Sequence, residues 1–187
     1  MNLKIALAQI NPLVGDIESN IEKIIQYSTN ARDRLKADIC VFPELTVTAY
    51  PPEDLLFRKD FIHAANRALN RIADKTKGIC TVLGFPEKDG EYLYNSAAVL
   101  DEGSVRAVYR KNLLPNYGVF DEKRYFASGS DHCVFQFRDI SIGLTICEDI
   151  WAPDVVDKTC KAGAKIILNL NASPFHAGKI HEREEVV

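Results

Sequence analysis

No stretch of this sequence stays apolar for the roughly 20 residues that a bilayer span requires, so no membrane helix is expected. There is no excess of positive charge either. Lys and Arg number 23 against 26 Asp and Glu, a net charge of -3. That balance sets up no field to draw in a nucleic acid backbone or an anionic membrane surface. No Cys-x-x-Cys and no His-Glu-x-x-His occurs, and His132 beside Cys133, or His176 with His181, matches no usual ligand spacing. A metal site is therefore not expected. The five cysteines are scattered and odd in number, which argues against a disulfide framework and fits a reducing cytoplasm. The opening residues, MNLKIALAQI, lack the successive regions of a secretory leader and are read as a first strand.

What is present is an ordinary globular composition, 47% hydrophobic over 187 residues, enough for the core of one domain. A strand over Leu3 to Ile10 is followed by a helix from Asp16 or Ser19, where Ser19-x-x-Glu22 has capping-box form. Ile21, Ile24, Ile25, Ser28 and Leu35 keep helical spacing. DICVF, ending at Pro43-Glu44, is a second strand. Phe61, Ile62, Ala65, Leu69, Ile72 and Ala73 mark one face of a second helix. Gly78 to Phe85 is a third strand. Tyr92 to Leu100 and Val105 to Arg110 form a hairpin around Asp101-Glu102-Gly103. Asn112 to Gly129 has no clean period and reads as a long ordered loop, a length often tied to function. Cys133 to Phe137 and Ile140 to Ile146 pair around Arg138-Asp139. A short helix follows, with Pro153 in its first turn and Gly163 as its stop, and Ala164 to Leu170 is the last strand. The pattern is α/β, and taken alone it suggests one doubly wound, three-layer sheet.

Chemistry gathers where strands end. Phe42-Pro43-Glu44, Tyr109-Arg110-Lys111, Ile146-Cys147-Glu148 and Leu170 to Ser173 each close a strand with polar or reactive residues. Ligands of α/β folds bind beyond the carboxyl ends of strands. If these ends converge, one pocket holds a carboxylate, an ammonium and a thiol. Those groups suit acyl transfer: Cys147 attacks, Lys111 lowers the thiol pKa and holds the oxyanion, and Glu44 moves the proton to a leaving amine. Each has a plainer reading. Cys147 would equally serve as a small core residue, Glu44 as a turn carboxylate and Lys111 as a solvated charge.

FPEL (Phe42 to Leu45), YRKNLLP (Tyr109 to Pro115) and ICEDIW (Ile146 to Trp151) resemble the motifs of the nitrilase, or carbon–nitrogen hydrolase, family. The resemblance runs from KIALAQINPLVGD to NASPFHAGK. AYPPEDLL (Ala49 to Leu56) and NLLPNYGVFDEKRYF (Asn112 to Phe126) narrow it to the N-terminal glutaminase domains of glutamine-dependent NAD synthetases. The resemblance implies an α-β-β-α sandwich in place of the single sheet. It implies Glu44 as general base, Lys111 as catalytic lysine and Cys147 as nucleophile. It further implies Glu122 as a second glutamate orienting the lysine, and Tyr117, Glu148, Ser173 and Lys179 as residues that hold glutamine. For Glu122, pairing with Lys123 or Arg124 is an alternative. Ser173 would equally be a turn residue, Lys179 a solvated charge, Tyr117 loop packing and Glu148 a support for the turn.

The implied reaction is hydrolysis of L-glutamine to supply ammonia for converting deamido-NAD to NAD. The implied partners are a synthetase domain in the same full-length chain and further copies in a homo-oligomer. No SGGxDS-like loop and no P-loop occurs, so residues 1–187 are read as one glutaminase domain, cut short at its C-terminus. That domain needs no cofactor of its own, and ATP and Mg belong to the synthetase domain. The competing readings are a free-standing amidase or nitrilase and a non-catalytic interaction domain of the same fold.

Overall fold

The chain folds into two sheets that face each other, with helices on their outer sides. The computed structural model describes residues 2–174 and 176–186; Phe175 of the NASPFHAGK motif and the terminal Val187 lie outside the described residues. In chain order the elements are β1 (Ile5–Leu7), α1 (Ile17–Asp33), β2 (Ile39–Val41), α2 (Lys59–Lys75), β3 (Cys80–Asp89), β4 (Tyr92–Asp101), β5 (Ser104–Arg110), β6 (Cys133–Phe137), β7 (Ile140–Ile146), α3 (Pro153–Lys161), β8 (Ile166–Leu170) and α4 (Lys179–Val186). The first sheet has the order β1-β2-β3-β4-β5 and the second β6-β7-β8.

Period-2 alternation decides what each face meets. In the first sheet Ile39, Val41, Cys80, Val82, Ala97, Val99 and Tyr109 point toward the second sheet. There they pack on Ile142, Leu144, Ile146, Leu168 and Leu170. The alternate residues Cys40, Phe42, Leu83, Phe85, Ala98 and Leu100 face Ile21 and Ile24 of α1 and Ala65, Leu69 and Ile72 of α2. On the far side α3 lies against β7 so closely that a Cβ on Gly143 would meet Thr159 and Ala164. The layers are therefore α-β-β-α, the arrangement the family resemblance implies and not the single sheet that pattern alone suggests. An unbroken apolar run such as Ile140–Ile146 marks a strand as buried on both faces. It does not say whether helix or sheet covers a given face.

Strand directions bring the reactive ends to one edge. β1, β2 and β3 are parallel, β4 is antiparallel to β3, and β5 is antiparallel to β4. Two reversals return β5 to the direction of β2, so Glu44 and Lys111 leave the sheet on the same side. β7 and β8 are parallel to each other and antiparallel to β6.

Several boundaries differ from the sequence reading. β1 is only three residues long. Leu35 lies beyond the end of α1 and is exposed. β3 runs through Pro86 to Asp89 and pairs with β4 in a hairpin turning at Gly90, which has positive φ. The loop is Gly90-Glu91, with glycine at the first central position that a positive φ favours. The helix N-cap is Asp16, whose side chain accepts from the Ser19 N–H, so the Ser19 capping box does not form.

The turn after β2 depends on one glycine. Leu45 has φ 48°, Thr46 Oγ1 donates to the Pro43 carbonyl, and Val47 N donates to Gly84 O at 3.2 Å. A Cβ on Gly84 would sit 2.9 Å from Glu44 Cα and would collide with Leu45 N. Gly84→Ala is therefore expected to displace the Glu44 turn and cost about 1–3 kcal/mol, the scale of overpacking. Urea unfolding measures this. A variant as stable as the parent would show that the turn shifts freely.

Candidate active site

Glu44 leaves β2 into a tight turn, and Lys111 is the first residue past β5. Tyr109 points into the space between the sheets, and Lys111, two residues on, points the same way. The ammonium is completely buried. It donates to Glu44 Oε1 at 2.7 Å and to Glu122 Oε1 at 2.8 Å. Both carboxylates are buried too, and a buried cation between two acceptors is held in one place. Gly129 makes room for this strand end. Its N–H donates to the Lys111 carbonyl at 2.8 Å, and a Cβ there would strike the Arg110 backbone.

Glu44 has further donors. Asn95 Nδ2 from β4 reaches Oε1 at 2.8 Å, and the Ala172 N–H beyond β8 reaches Oε2 at 3.2 Å. Glu122 sits in a short 3-10 turn (Glu122–Arg124) of the long loop and accepts from Tyr50 OH at 2.9 Å. It does not pair with its neighbours; Arg124 pairs instead with Asp54. Burial and the nearby Glu44 raise the Glu122 pKa, against the pull of Lys111. Burial opposes the charge on Lys111, but Glu44 and then Glu122 outweigh it and raise the ammonium's pKa.

Cys147 begins a 3-10 turn directly after β7, with φ 45°. A non-glycine residue in that region is strained by about 1–3 kcal/mol, a strain that recurs at functional sites. The thiol is buried and senses Glu44, Lys111, Glu122 and the Ala172 N–H. Its pKa is pushed up to about 12, first by burial and then by Glu44; Lys111 and Ala172 pull the other way. The ammonium pulls the thiol pKa down, as expected, but burial and Glu44 outweigh that pull. Lys111 is neutralised by two carboxylates, so its influence on the sulfur is small beside desolvation.

At the rim, Tyr117 OH donates to the Glu148 carboxylate at 2.9 Å, beside the Cys147 turn. Tyr117 is 59% exposed and also packs edge-on against Phe120. Ser173 accepts from Arg183 of α4 at 2.8 Å. The Lys179 ammonium lies 4.4 Å from the Trp151 ring centroid and 3.2 Å from Glu182. Among the described residues, neither Ser173 nor Lys179 bonds to Glu44, Lys111, Glu122 or Cys147. The structure thus gathers Glu44, Lys111, Glu122 and Cys147, sets Tyr117 and Glu148 at the edge, and places Ser173 and Lys179 with α4. Sequence reading missed Tyr50 and Asn95. An Asn inside a strand is disfavoured, and that signal would have marked Asn95. Among the described residues, no group of three or more His, Cys, Asp or Glu is arranged to hold a metal ion.

Removing the cation tests the electrostatics. Lys111→Met leaves two buried carboxylates facing each other, so the folded chain must hold a proton that the unfolded chain releases near pH 4.3. A folded-state pKa raised in this way keeps its stabilisation at low pH and loses it as pH rises. The variant is expected to lose roughly 3–5 kcal/mol near neutrality and less near pH 5. Urea unfolding at both pH values measures the difference, and an equal loss at both would refute the charge argument.

The sequence model of the family described as carbon–nitrogen hydrolase matches residues 4–186. The glutamine-dependent NAD(+) synthetase of Xanthomonas campestris pv. campestris (strain 8004) is 46% identical over 187 residues, covering 99% of this chain and 34% of that protein. The enzyme of the same name from Thermotoga maritima is 45% identical over 181 residues, covering 95% and 31%. Among solved structures, a glutamine-dependent NAD+ synthetase from Acinetobacter baumannii in complex with ADP superposes with a TM-score of 0.93 at 42% identity, covering 97% of this chain and 34% of that one. An amidase variant from Nesterenkonia sp. AN1, showing Michael addition of acrylamide at its active site cysteine, gives 0.85 at 27% identity, covering 96% and 70%. This chain spans about a third of the length of the synthetases it matches. With its α-β-β-α layers and a match across nearly its full length, the chain belongs to the carbon–nitrogen hydrolase family.

Proposed function

We propose that this chain hydrolyses the side-chain amide of L-glutamine through a thioester on Cys147. The observation that carries the reading is the buried Lys111 ammonium held by Glu44 and Glu122 beside a thiol on a strained turn. Similarity to glutamine-dependent NAD synthetases supports glutamine as the substrate. In this reading residues 1–187 serve as a glutaminase unit within a longer cytoplasmic chain, which assembles with further copies of itself. The ammonia goes to an ATP- and Mg-dependent synthetase part that converts deamido-NAD to NAD.

The chemistry follows from the protonation states. A thiol with a pKa near 12 is neutral at pH 7, so the proton leaves as the sulfur attacks. The Cys147 sulfur bonds to the amide carbon while Glu44 takes the thiol proton. Lys111 and a backbone N–H of the Cys147 turn stabilise the oxyanion. When the C–N bond breaks, Glu44 returns the proton to nitrogen and ammonia departs. Water then attacks the thioester, giving one proton to Glu44. The C–S bond then breaks, Glu44 passes that proton to the sulfur, and glutamate leaves as its new carboxyl group releases water's second proton to solvent. Asn95 and the Ala172 N–H keep the Glu44 carboxylate aimed, and Glu122 holds Lys111 in place. Tyr117 and Glu148 at the rim, with Ser173 and Lys179 beyond them, engage the amino acid end of glutamine.

A second reading, an amidase acting on another small amide, is favoured by the likeness to the Nesterenkonia amidase. Substrate profiling of the full-length protein separates the two, since faster turnover of an aliphatic amide than of glutamine would select the amidase. In the full-length protein, Cys147→Ala is expected to abolish NAD formation from glutamine while leaving formation from added ammonia within about twofold. Deleting a nucleophile costs on the order of a millionfold in kcat, far beyond that twofold margin. Loss of both activities would assign Cys147 a structural part and overturn the proposal.

A further inference from the structure

Asp149 lies two residues beyond Cys147, is completely buried, and takes no part in the steps above. Its carboxylate accepts four hydrogen bonds. Oδ1 takes the N–H groups of Asn112, at 3.1 Å, and Leu113, at 2.9 Å. Oδ2 takes the Ile146 N–H at 3.0 Å and the Tyr109 hydroxyl at 2.8 Å. These donors are not scattered. Asn112 and Leu113 are the two residues after Lys111, Tyr109 stands two before it, and Ile146 immediately precedes Cys147. Asn112 Nδ2 also donates to Tyr109 OH at 2.7 Å, which fixes that hydroxyl.

β5 and β7 belong to different sheets, which share no ladder. Apolar burial between the sheets is non-directional and bonds no one atom to another. Directed hydrogen bonds join particular atoms. We propose that Asp149 is a positioning residue that ties the Lys111 strand end of one sheet to the Cys147 turn of the other, and so sets the distance between oxyanion donor and nucleophile. This rests on the roles of Lys111 and Cys147 given under Proposed function. A neutral Asn in its place keeps the shape but turns one acceptor oxygen into an NH2 donor. That group faces either the Asn112 and Leu113 N–H pair or the Ile146 N–H, and one side of the tie opens. Misplacing a reacting group by about an ångström is enough to cost on the order of a hundredfold in rate.

The test uses the full-length protein and titrates active sites with an electrophilic glutamine analogue. Asp149→Asn is expected to lower kcat per titrated site for glutamine hydrolysis by about tenfold to a hundredfold, with KM within about threefold. Tyr109→Phe, which removes one donor to the same carboxylate, should lower it by about two- to fivefold and provides the answer if Asp149→Asn does not fold. A lower number of titratable sites with parental kcat per site in either variant would mean that Asp149 only stabilises the fold, and would overturn the proposal. Cys147→Ala distinguishes the two failures. If it stays active on glutamine, the function reading falls. If it is inactive while the Asp149 and Tyr109 variants turn over normally per site, only the Asp149 inference falls.

Discussion

A lysine with no exposure to solvent, gripped by two glutamates from distant parts of the chain, sets the terms for everything around it. Burying an ammonium costs several kcal/mol unless its charge is matched and its protons are accepted. Lys111 meets that condition only when the β2 turn delivers Glu44 and the long loop delivers Glu122. The loop of residues 112–129 is therefore ordered by electrostatics as well as by the small apolar cluster of Leu45, Leu56, Ile62, Leu114 and Phe126. Tyr50 completes the arrangement. Two regions far apart in sequence, 44–50 and 111–122, converge around one cation.

The backbone supports this at two glycines. Gly84 lets β3 pass against the Glu44 turn, and Gly129 lets the long loop close over the end of β5. Neither has a positive φ. Each is needed for close approach, so the cost of a larger residue falls on the site and not on local conformation.

Much of this was legible in the chain. Strand runs such as IIL and ISIGLTI, the helical faces, and the abrupt polar ends at Glu44, Lys111 and Cys147 follow from local pattern. The hairpin at Arg138-Asp139 turns where expected, and Gly163 follows α3 with φ 100°. Other features depend on through-space contacts that no window of sequence contains. Unbroken apolar runs report that both faces of β2 and β7 are buried, yet only the tertiary structure shows that one face of each is covered by the opposing sheet. Asn95 stands out only as an Asn within a strand and Tyr50 only as part of AYPPEDLL, and what they bond to appears when β4 and the segment of residues 49–56 are folded beside Glu44 and Glu122. The sequence placed an ammonium near the thiol and from that expected a lowered thiol pKa. It could not weigh burial and a double carboxylate shell against that ammonium.

The raised pKa of Cys147 has a consequence for the life of the protein in a cell. Thiolates attack peroxides and disulfides, and a sulfur that keeps its proton is a poor nucleophile toward either. Cys147 is buried inside the fold and keeps its proton there, whereas Cys160 lies exposed on α3. In the proposed reaction an electrophilic amide carbon seated next to it draws out its reactivity. Protection of the resting sulfur and its proposed attack on the amide would then share one buried environment.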